Sequence, residues 1–189
     1  LTIRHVTAST LPGAGPAIPD IPGGREAGHL TSSDALDLDH VPESIAVIGS
    51  GYIALEPGQL LRRLGARVTL PQRGPRLLPA DDPEIGQVMA GVPADEGIAG
   101  RTGVRYLRVD GGPARRTIHL EVAGGRRVVE ATEILVAAGR QPNTDGLRLD
   151  RAVVRVGARG EVVVDGEVRS SAPRPPPRPR SSADRTVRP

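Results

Sequence analysis

The chain has 189 residues, enough for one domain with tails, and a formal net charge of only +3 with no lysine among its basic residues. It contains no cysteine, which excludes disulfides, thiolate metal sites and cysteine nucleophiles within the chain. No apolar run approaches the roughly 20 residues that span a bilayer, so the expectation is a cytoplasmic protein with no membrane partner.

Arg174, Arg178, Arg180, Arg185 and Arg188 face only Asp184 after Ser170. The remainder is then close to neutral, and no nucleic-acid partner is expected. With no Phe or Trp, the core must be built from Val, Leu, Ile and Ala rather than from large aromatic surfaces.

Residues 1–43 show no sustained hydrophobic period. "TLPGAGPAIPDIPGG" reads as an extended, turning linker, and "TSSDALDLDHVP" offers Ser or Asp as the cap of one weak helical turn. "SIAVIG" is short and continuously apolar, as in a parallel strand covered on both faces. A helix is expected from about Tyr52 to Leu64, with Ile53, Leu60, Leu61 and Leu64 on its buried side and Gly65 as its stop. "ARVTLP" is a second strand. "DDPEIGQVMAGVPADEGI" starts a second helix, capped by Asp81 or Asp82 with Pro83 in its first turn. After Gly103, "VRYLRV", "RTIHLEV" and "RRVVEA" read as an antiparallel meander. "EILVAAGR" is a further buried strand, and "AVVRV" with "EVVVD" look like a final pair around "GARG". From Ser170 the chain is a low-complexity Pro/Arg tail. The fold class is therefore α/β, a Rossmann-like parallel sheet with an inserted antiparallel β-meander. The expected division is 1–43 as a linker remnant, 44–169 as a nucleotide-binding domain and 170–189 as a disordered tail.

"VIGSGYIALE" fits G-x-G-x-x-A, with Gly49, Gly51 and Ala54 in the three key places. Gly49 allows the tight turn, Gly51 lets backbone approach phosphate, and Ala54 keeps the helix close to the strand. The helix start offers free N–H groups to a pyrophosphate. The candidate nicotinamide-cofactor residues here are Gly49, Ser50, Gly51, Tyr52, Ile53 and Ala54. The carboxylate that holds a ribose 2′-hydroxyl is absent; the position after strand two carries Gln72, followed by Arg73. A guanidinium in place of a carboxylate favours a 2′-phosphate, hence NADPH over NADH.

With those residues in view, the chain from about Gly15 to Ala172 resembles the flavin-dependent pyridine nucleotide–disulfide oxidoreductases, and within them mercuric reductase, glutathione reductase and dihydrolipoamide dehydrogenase. "PAIPDIPG" resembles the segment joining flavin and nucleotide domains, and "GSGYIALE" the nicotinamide-nucleotide loop. "EILVAAGRQPNTDGLRLD" and "GEVVVDGEVRSSAP" resemble the segments that return toward the flavin. The segments are most similar to mercuric reductase. The resemblance gives Tyr52 the role of the aromatic that covers the flavin, and Glu56 that of a carboxylate pairing with a lysine near it. It places Gly139, with Ala138, against the nicotinamide half. It implies FAD as a second cofactor, but this chain alone is not expected to bind it; a partner chain would carry the flavin domain. Electron transfer in the family ends on a cysteine pair, which this sequence lacks. The expectation is an NADPH-binding portion that is inactive alone and has no catalytic or metal-ligating residues of its own.

Pro57, Pro71 and the Gly91/Pro93 pair fall inside expected helices and strands, where each proline costs roughly 3 kcal/mol. Gly91 and Pro93 are expected to break the second helix. Two explanations stay open: the fold tolerates these residues through kinks, or the sequence is a decayed or misread copy with no activity. A further alternative is a non-catalytic cofactor-sensing or interaction module, using "PRPPPRP" as a polyproline ligand.

Overall fold

The structure is a computed structural model that describes residues 13–172. The start "LTIRHVTASTLP" and the Pro/Arg-rich stretch after Ala172 lie outside the described residues. The described residues divide into two compact units: one is Gly15–Arg140, the other the described residues before Gly15 and after Arg140. These limits differ from the 44–169 expected for the nucleotide-binding domain.

The elements in chain order are β1 (Ala14–Pro16), α1 (Ser32–Leu36), β2 (Ser44–Ile48), α2 (Tyr52–Arg63), β3 (Arg67–Pro71), α3 (Pro83–Asp95) and β4 (Ala99–Arg101). There follow β5 (Arg105–Gly112), β6 (Arg115–Val122), β7 (Gly125–Ala131), β8 (Glu133–Val136) and β9 (Arg140–Pro142). Within the Gly15–Arg140 unit a four-stranded parallel sheet has the order β4-β3-β2-β8, and β5-β6-β7 form an antiparallel meander. The expected α/β class with an inserted meander is what the chain adopts.

Alternation along β2 builds the layers. Every residue of β2 is buried. Ile45 and Val47 join Ala54, Leu55 and Leu61 of α2 and Val68 and Leu70 of β3 in one core. Ala46 and Ile48 join Ile118, Leu120, Val129 and Ala131 of the meander in another. Successive side chains of a strand point to opposite faces, so a run of five apolar or small residues serves two cores at once. At the junction of the layers Thr132 donates through its hydroxyl to the Ser44 carbonyl (2.7 Å) and accepts from the Ser44 amide (3.1 Å).

Residues 15–43, expected to be a linker, are largely irregular but closely fitted. The Val109 amide of β5 donates to the Pro22 carbonyl (2.8 Å). A Cβ on Gly23 would lie 2.1 Å from the Val109 oxygen. Arg116, buried in the meander, donates to the carbonyls of Ala27 (2.9 Å) and Gly28 (3.2 Å) and pairs with Glu133 (3.2 Å). The cap of α1 is Thr31, not Ser or Asp as the sequence suggested; with Asp34 it completes a capping box.

Four sequence expectations need correction. The buried face of α2 is Ala54, Leu55, Gly58 and Leu61, whereas Leu60 and Leu64 are exposed. Beside Leu55 and Leu61, the small residues Ala54 and Gly58 let the helix lie near the sheet. Second, α3 is not broken at Gly91 and Pro93 but runs through both to Asp95. Third, Pro71 does not interrupt the central ladder: β2 and β3 are last paired at Ala46–Thr69, so the ring falls beyond that pairing. Finally, β4 was missed, because three exposed residues around a glycine carry no pattern.

Both long helices stop in the same way. The amides of Gly65 and Ala66 donate to the carbonyls of Arg62 and Leu61, and those of Gly97 and Ile98 to Ala94 and Pro93. These are Schellman motifs, with Gly65 at φ +110° and Gly97 at φ +78°. Their ends are tied together by Glu96, whose carboxylate accepts from Gln59 (2.8 Å) and Arg63 (2.6 Å). The Arg63 hydrogen bond holds that carboxyl below its usual range.

In the second unit no described residue from 141 to 172 is buried. The expected "AVVRV"/"EVVVD" strand pair is reduced to one isolated antiparallel bridge, Val156–Val162, and a second bridge, Val164–Ser170, joins the latter segment to residues beyond it. A turn joins the first bridge, with the Gly157 amide donating to the Glu161 carbonyl at 2.7 Å.

Inside α2, Pro57 removes the amide that would donate to the Ile53 carbonyl. Replacing Pro57 by Ala is expected to stabilise the protein by about 1–3 kcal/mol, seen as a higher melting temperature by circular dichroism. An unchanged or lower melting temperature would show that the helix is already accommodated to the ring.

Candidate functional site

The C-terminal ends of β2, β3 and β8 lie side by side, and each continues into a segment that sequence analysis marked. In open α/β sheets ligands gather at this edge. After β2 the chain turns at Gly49, φ +138°, a conformation that side chains rarely adopt. The Ala137 amide donates to the Ile48 carbonyl at 2.8 Å. A Cβ on Gly49 would stand 2.2 Å from the Ala137 oxygen. Gly49 is thus fixed by backbone packing, and the same packing brings the turn against Ala137, Ala138 and Gly139 after β8.

Gly51 differs in kind. Its φ of −78° suits any residue, and a Cβ placed on it would meet no protein atom within 4 Å. Nothing in the chain requires glycine there, yet only glycine leaves the space open to a ligand. As the N-cap of α2 it has no side chain to accept from the first-turn amides; the Ala54 amide donates to the Gly51 carbonyl (2.9 Å), and the amides of Tyr52 and Ile53 stay available for an anion. Ala54 is fully buried against the sheet. Ser50 is buried as well, and its carbonyl accepts from the Leu78 amide (2.8 Å). Leu78 is held at φ +47°, a strained setting for leucine. That bond fastens the loop after β3 to the glycine turn.

The turn after β3 is clamped on both sides. The Gln72 amide donates to the Arg101 carbonyl (2.7 Å), its own carbonyl accepts from Val104 (3.1 Å), and the Gly103 amide donates to Gly74 (2.9 Å). Gln72 is buried and Arg73 is exposed. Arg73 lines a cleft of about 530 Å³ together with Ala138, Tyr106, Val104, Asp20 and Ile18. With two neighbouring-strand spacings between β3 and β8, a total of about 10 Å, one cleft reaches from Arg73 to Ala138. Burial pushes the Tyr106 phenol well above its usual pKa, with Arg73 acting in the opposite direction. The phenol stays protonated and donates to the Pro71 carbonyl.

The structure therefore brings Gly49, Ser50, Gly51, Ala54, Ala138 and Gly139 to one edge, with Gln72 and Arg73 on the adjoining strand end. Tyr52, at the first position of α2, is 64% exposed, and Ile53 is half-buried. Glu56 is exposed one turn after Tyr52, on the same side of the helix. Asp20, Val104 and Tyr106 of the cleft were not foreseen. Their contacts depend on the irregular segment 15–30 and the meander folding over the sheet, for which the sequence has no periodic signal. Among the described residues no group of His, Asp and Glu is placed to hold a metal ion, and no helix is long and apolar enough to cross a membrane. The open space at Gly51, the uncapped amides of Tyr52 and Ile53 and the exposed Arg73 fit a dinucleotide.

Comparison with known proteins identifies the family and the fold. The model of the pyridine nucleotide–disulphide oxidoreductase family matches residues 11–174. A mercuric reductase of Staphylococcus aureus is 45% identical over 159 residues, covering 84% of this chain and 29% of the relative. A dihydrolipoyl dehydrogenase of Thermus scotoductus is 37% identical, over 75% of this chain and 32% of the relative. The chain thus spans about a third or less of the length of these relatives. Among solved structures, a HOCl-induced flavoprotein disulfide reductase from Escherichia coli superposes with a TM-score of 0.74 at 27% identity, over 86% of this chain and 37% of that one. LpdA from Mycobacterium tuberculosis gives 0.72 at 28% identity, over 85% and 34%.

The Gly49 geometry sets a direct expectation. Gly49→Ala forces a methyl into the Ala137 carbonyl and should destabilise the unit by about 3–5 kcal/mol, measured by urea denaturation. Near-wild-type stability would mean that the turn and β8 are not packed as described.

Proposed function

This chain belongs to the pyridine nucleotide–disulphide oxidoreductase family, and on that premise we propose that it is the nicotinamide-dinucleotide-binding portion of a flavin-dependent oxidoreductase resembling mercuric reductase. The observation that carries the reading is Gly51: a glycine with ordinary φ and empty space where its side chain would be. Such a position is explained by a ligand that must come close to backbone. The diphosphate is held by the amides at the start of α2, with the helix dipole favouring its charge. Arg73 takes a 2′-phosphate, which makes NADPH the preferred cofactor over NADH. Ala138 and Gly139 lie against the nicotinamide half, and the exposed pair Tyr52 and Glu56 faces the flavin.

Once bound, the cofactor supplies a hydride. The chain's own part is to bind and orient it; with no cysteine among its residues, it contributes no sulfur to the reaction or to a mercury(II) substrate. The flavin and the redox sulfurs are assigned to protein outside this sequence, and the chain by itself is inactive. The electron acceptor is proposed to be of the mercuric-reductase type because several of its relatives at 37–45% identity carry that name. A cytoplasmic location accords with this chemistry.

Titration of the full chain with NADPH and NADH, followed by fluorescence, tests the reading. NADPH should bind more tightly. Gly51→Ala should weaken both cofactors at least about tenfold, or 1.4 kcal/mol, with little change in melting temperature. Arg73→Ala should weaken NADPH alone. Tighter NADH binding by the wild-type chain would overturn the 2′-phosphate assignment, and unaltered binding by Gly51→Ala would overturn the diphosphate site.

A further inference from the structure

Tyr106 is one of only two tyrosines in the chain, and its placement depends on an irregularity. In the pairing of β5 with β6, Tyr106 faces Leu120, Arg108 faces His119 and Val109 faces Ile118; Leu107 is skipped. This is a β-bulge. Without it, strict alternation would send Tyr106 and Val109 to opposite faces. With it, both turn to the core shared by the meander and the sheet, where Val109 is buried and Tyr106 packs against the buried cluster and lines the cleft together with Ile18 and Ala138.

From there the Tyr106 hydroxyl donates to the Pro71 carbonyl. Pro71 is fully buried and lies past the last β2–β3 pair, Ala46–Thr69. The next two residues are Gln72 and Arg73, and Arg73 lies near enough to Tyr106 to act on its hydroxyl electrostatically. One side chain thus fastens the strand end and forms a wall of the same cleft that Arg73 lines.

We propose that Tyr106 is a positioning residue for cofactor selectivity: by bonding the Pro71 carbonyl across the bulged strand, it fixes the turn that aims Arg73 at the 2′-phosphate of the dinucleotide. The inference rests on the NADPH reading above. Tyr106 touches no reacting atom; it acts through Arg73. Its loss should weaken recognition of the 2′-phosphate while leaving the diphosphate grip at Gly49–Gly51 in place.

The test is a cycle of four full-length chains, wild type, Tyr106→Phe, Arg73→Ala and the double variant, each titrated with NADPH and NADH. Tyr106→Phe should reduce the NADPH-over-NADH preference about fivefold or more while the NADH Kd stays within about twofold; these are outcome thresholds for a coupled pair. In the Arg73→Ala background the same change should have no further effect on the preference. Equal weakening of both cofactors, or an additive effect in the double variant, would overturn the proposal and leave Tyr106 with a purely structural role. A wild-type chain without NADPH preference would instead overturn the reading on which it rests, and the proposal with it. Should Tyr106→Phe fail to melt cooperatively, the wild-type chain decides: with tyrosine labelled at Cζ, 2′,5′-ADP should shift the Tyr106 carbon signal and 5′-ADP should not. No shift, or the same shift with both, overturns the proposal.

Discussion

At the end of β2 the backbone runs so close to β8 that a Cβ on Gly49 would lie 2.2 Å from the Ala137 oxygen. Much of the candidate site follows from that contact. It holds the glycine turn against the segment after β8, and it fixes the direction in which α2 leaves the sheet. The carbonyl of the next residue, Ser50, then fastens the loop after β3 through Leu78. Three strand ends are thereby locked into one edge by main-chain contacts, which depend little on side-chain identity elsewhere. Gly51, two residues on, is spared any such contact, so the described structure requires glycine at 49 and not at 51.

The surrounding structure supports the edge from both faces. Ala54 and Gly58 let α2 settle onto β2 and β3, where a larger side chain would hold it off; a methyl on Gly58 would reach ordinary contact with Val47 and Val68. On the opposite face the meander and residues 15–30 close over Ala46, Ile48 and Ile134. The long helices absorb prolines without breaking because each retains a Schellman stop and the shared Glu96 tie. Loss of one helical hydrogen bond at Pro57 is small beside the packing of a whole amphipathic face.

The sequence exposed some of this well and some poorly, for physical reasons. β2, β3 and β8 are legible because strands buried on both faces are continuously apolar. The meander is legible because its alternating runs are set apart by "DGGPA" and "AGG", at or beside the turns Pro113–Ala114 and Ala123–Gly124. The glycine turn is legible because Gly49, Gly51 and Ala54 stand at the fixed spacing G-x-G-x-x-A between a strand and a helix. The buried side of α2 is legible only in part: Leu61 faces the core together with Leu55, but Ala54 and Gly58 share that face where the helix comes close to the sheet, and Leu60 and Leu64 are exposed. Pro93 and Gly91 look like helix breakers in the sequence, yet α3 runs through both to Asp95. β4 has no pattern of its own and exists because β3 offers an edge. Asp20, Val104 and Tyr106 reach the cleft through long-range packing, and the bulge that turns Tyr106 inward shows only when β5 is paired with β6.

The central claim is that the first-turn amides of α2, left without a side-chain cap, grip the diphosphate of a nicotinamide dinucleotide. Amide chemical-shift mapping of the nitrogen-15-labelled full chain during titration with NADPH measures this most directly. The account predicts the largest shifts at Ser50 to Ala54, with a second set at Gln72 to Gly74. Saturating NADPH that leaves the Ser50 to Ala54 amides unmoved would contradict it.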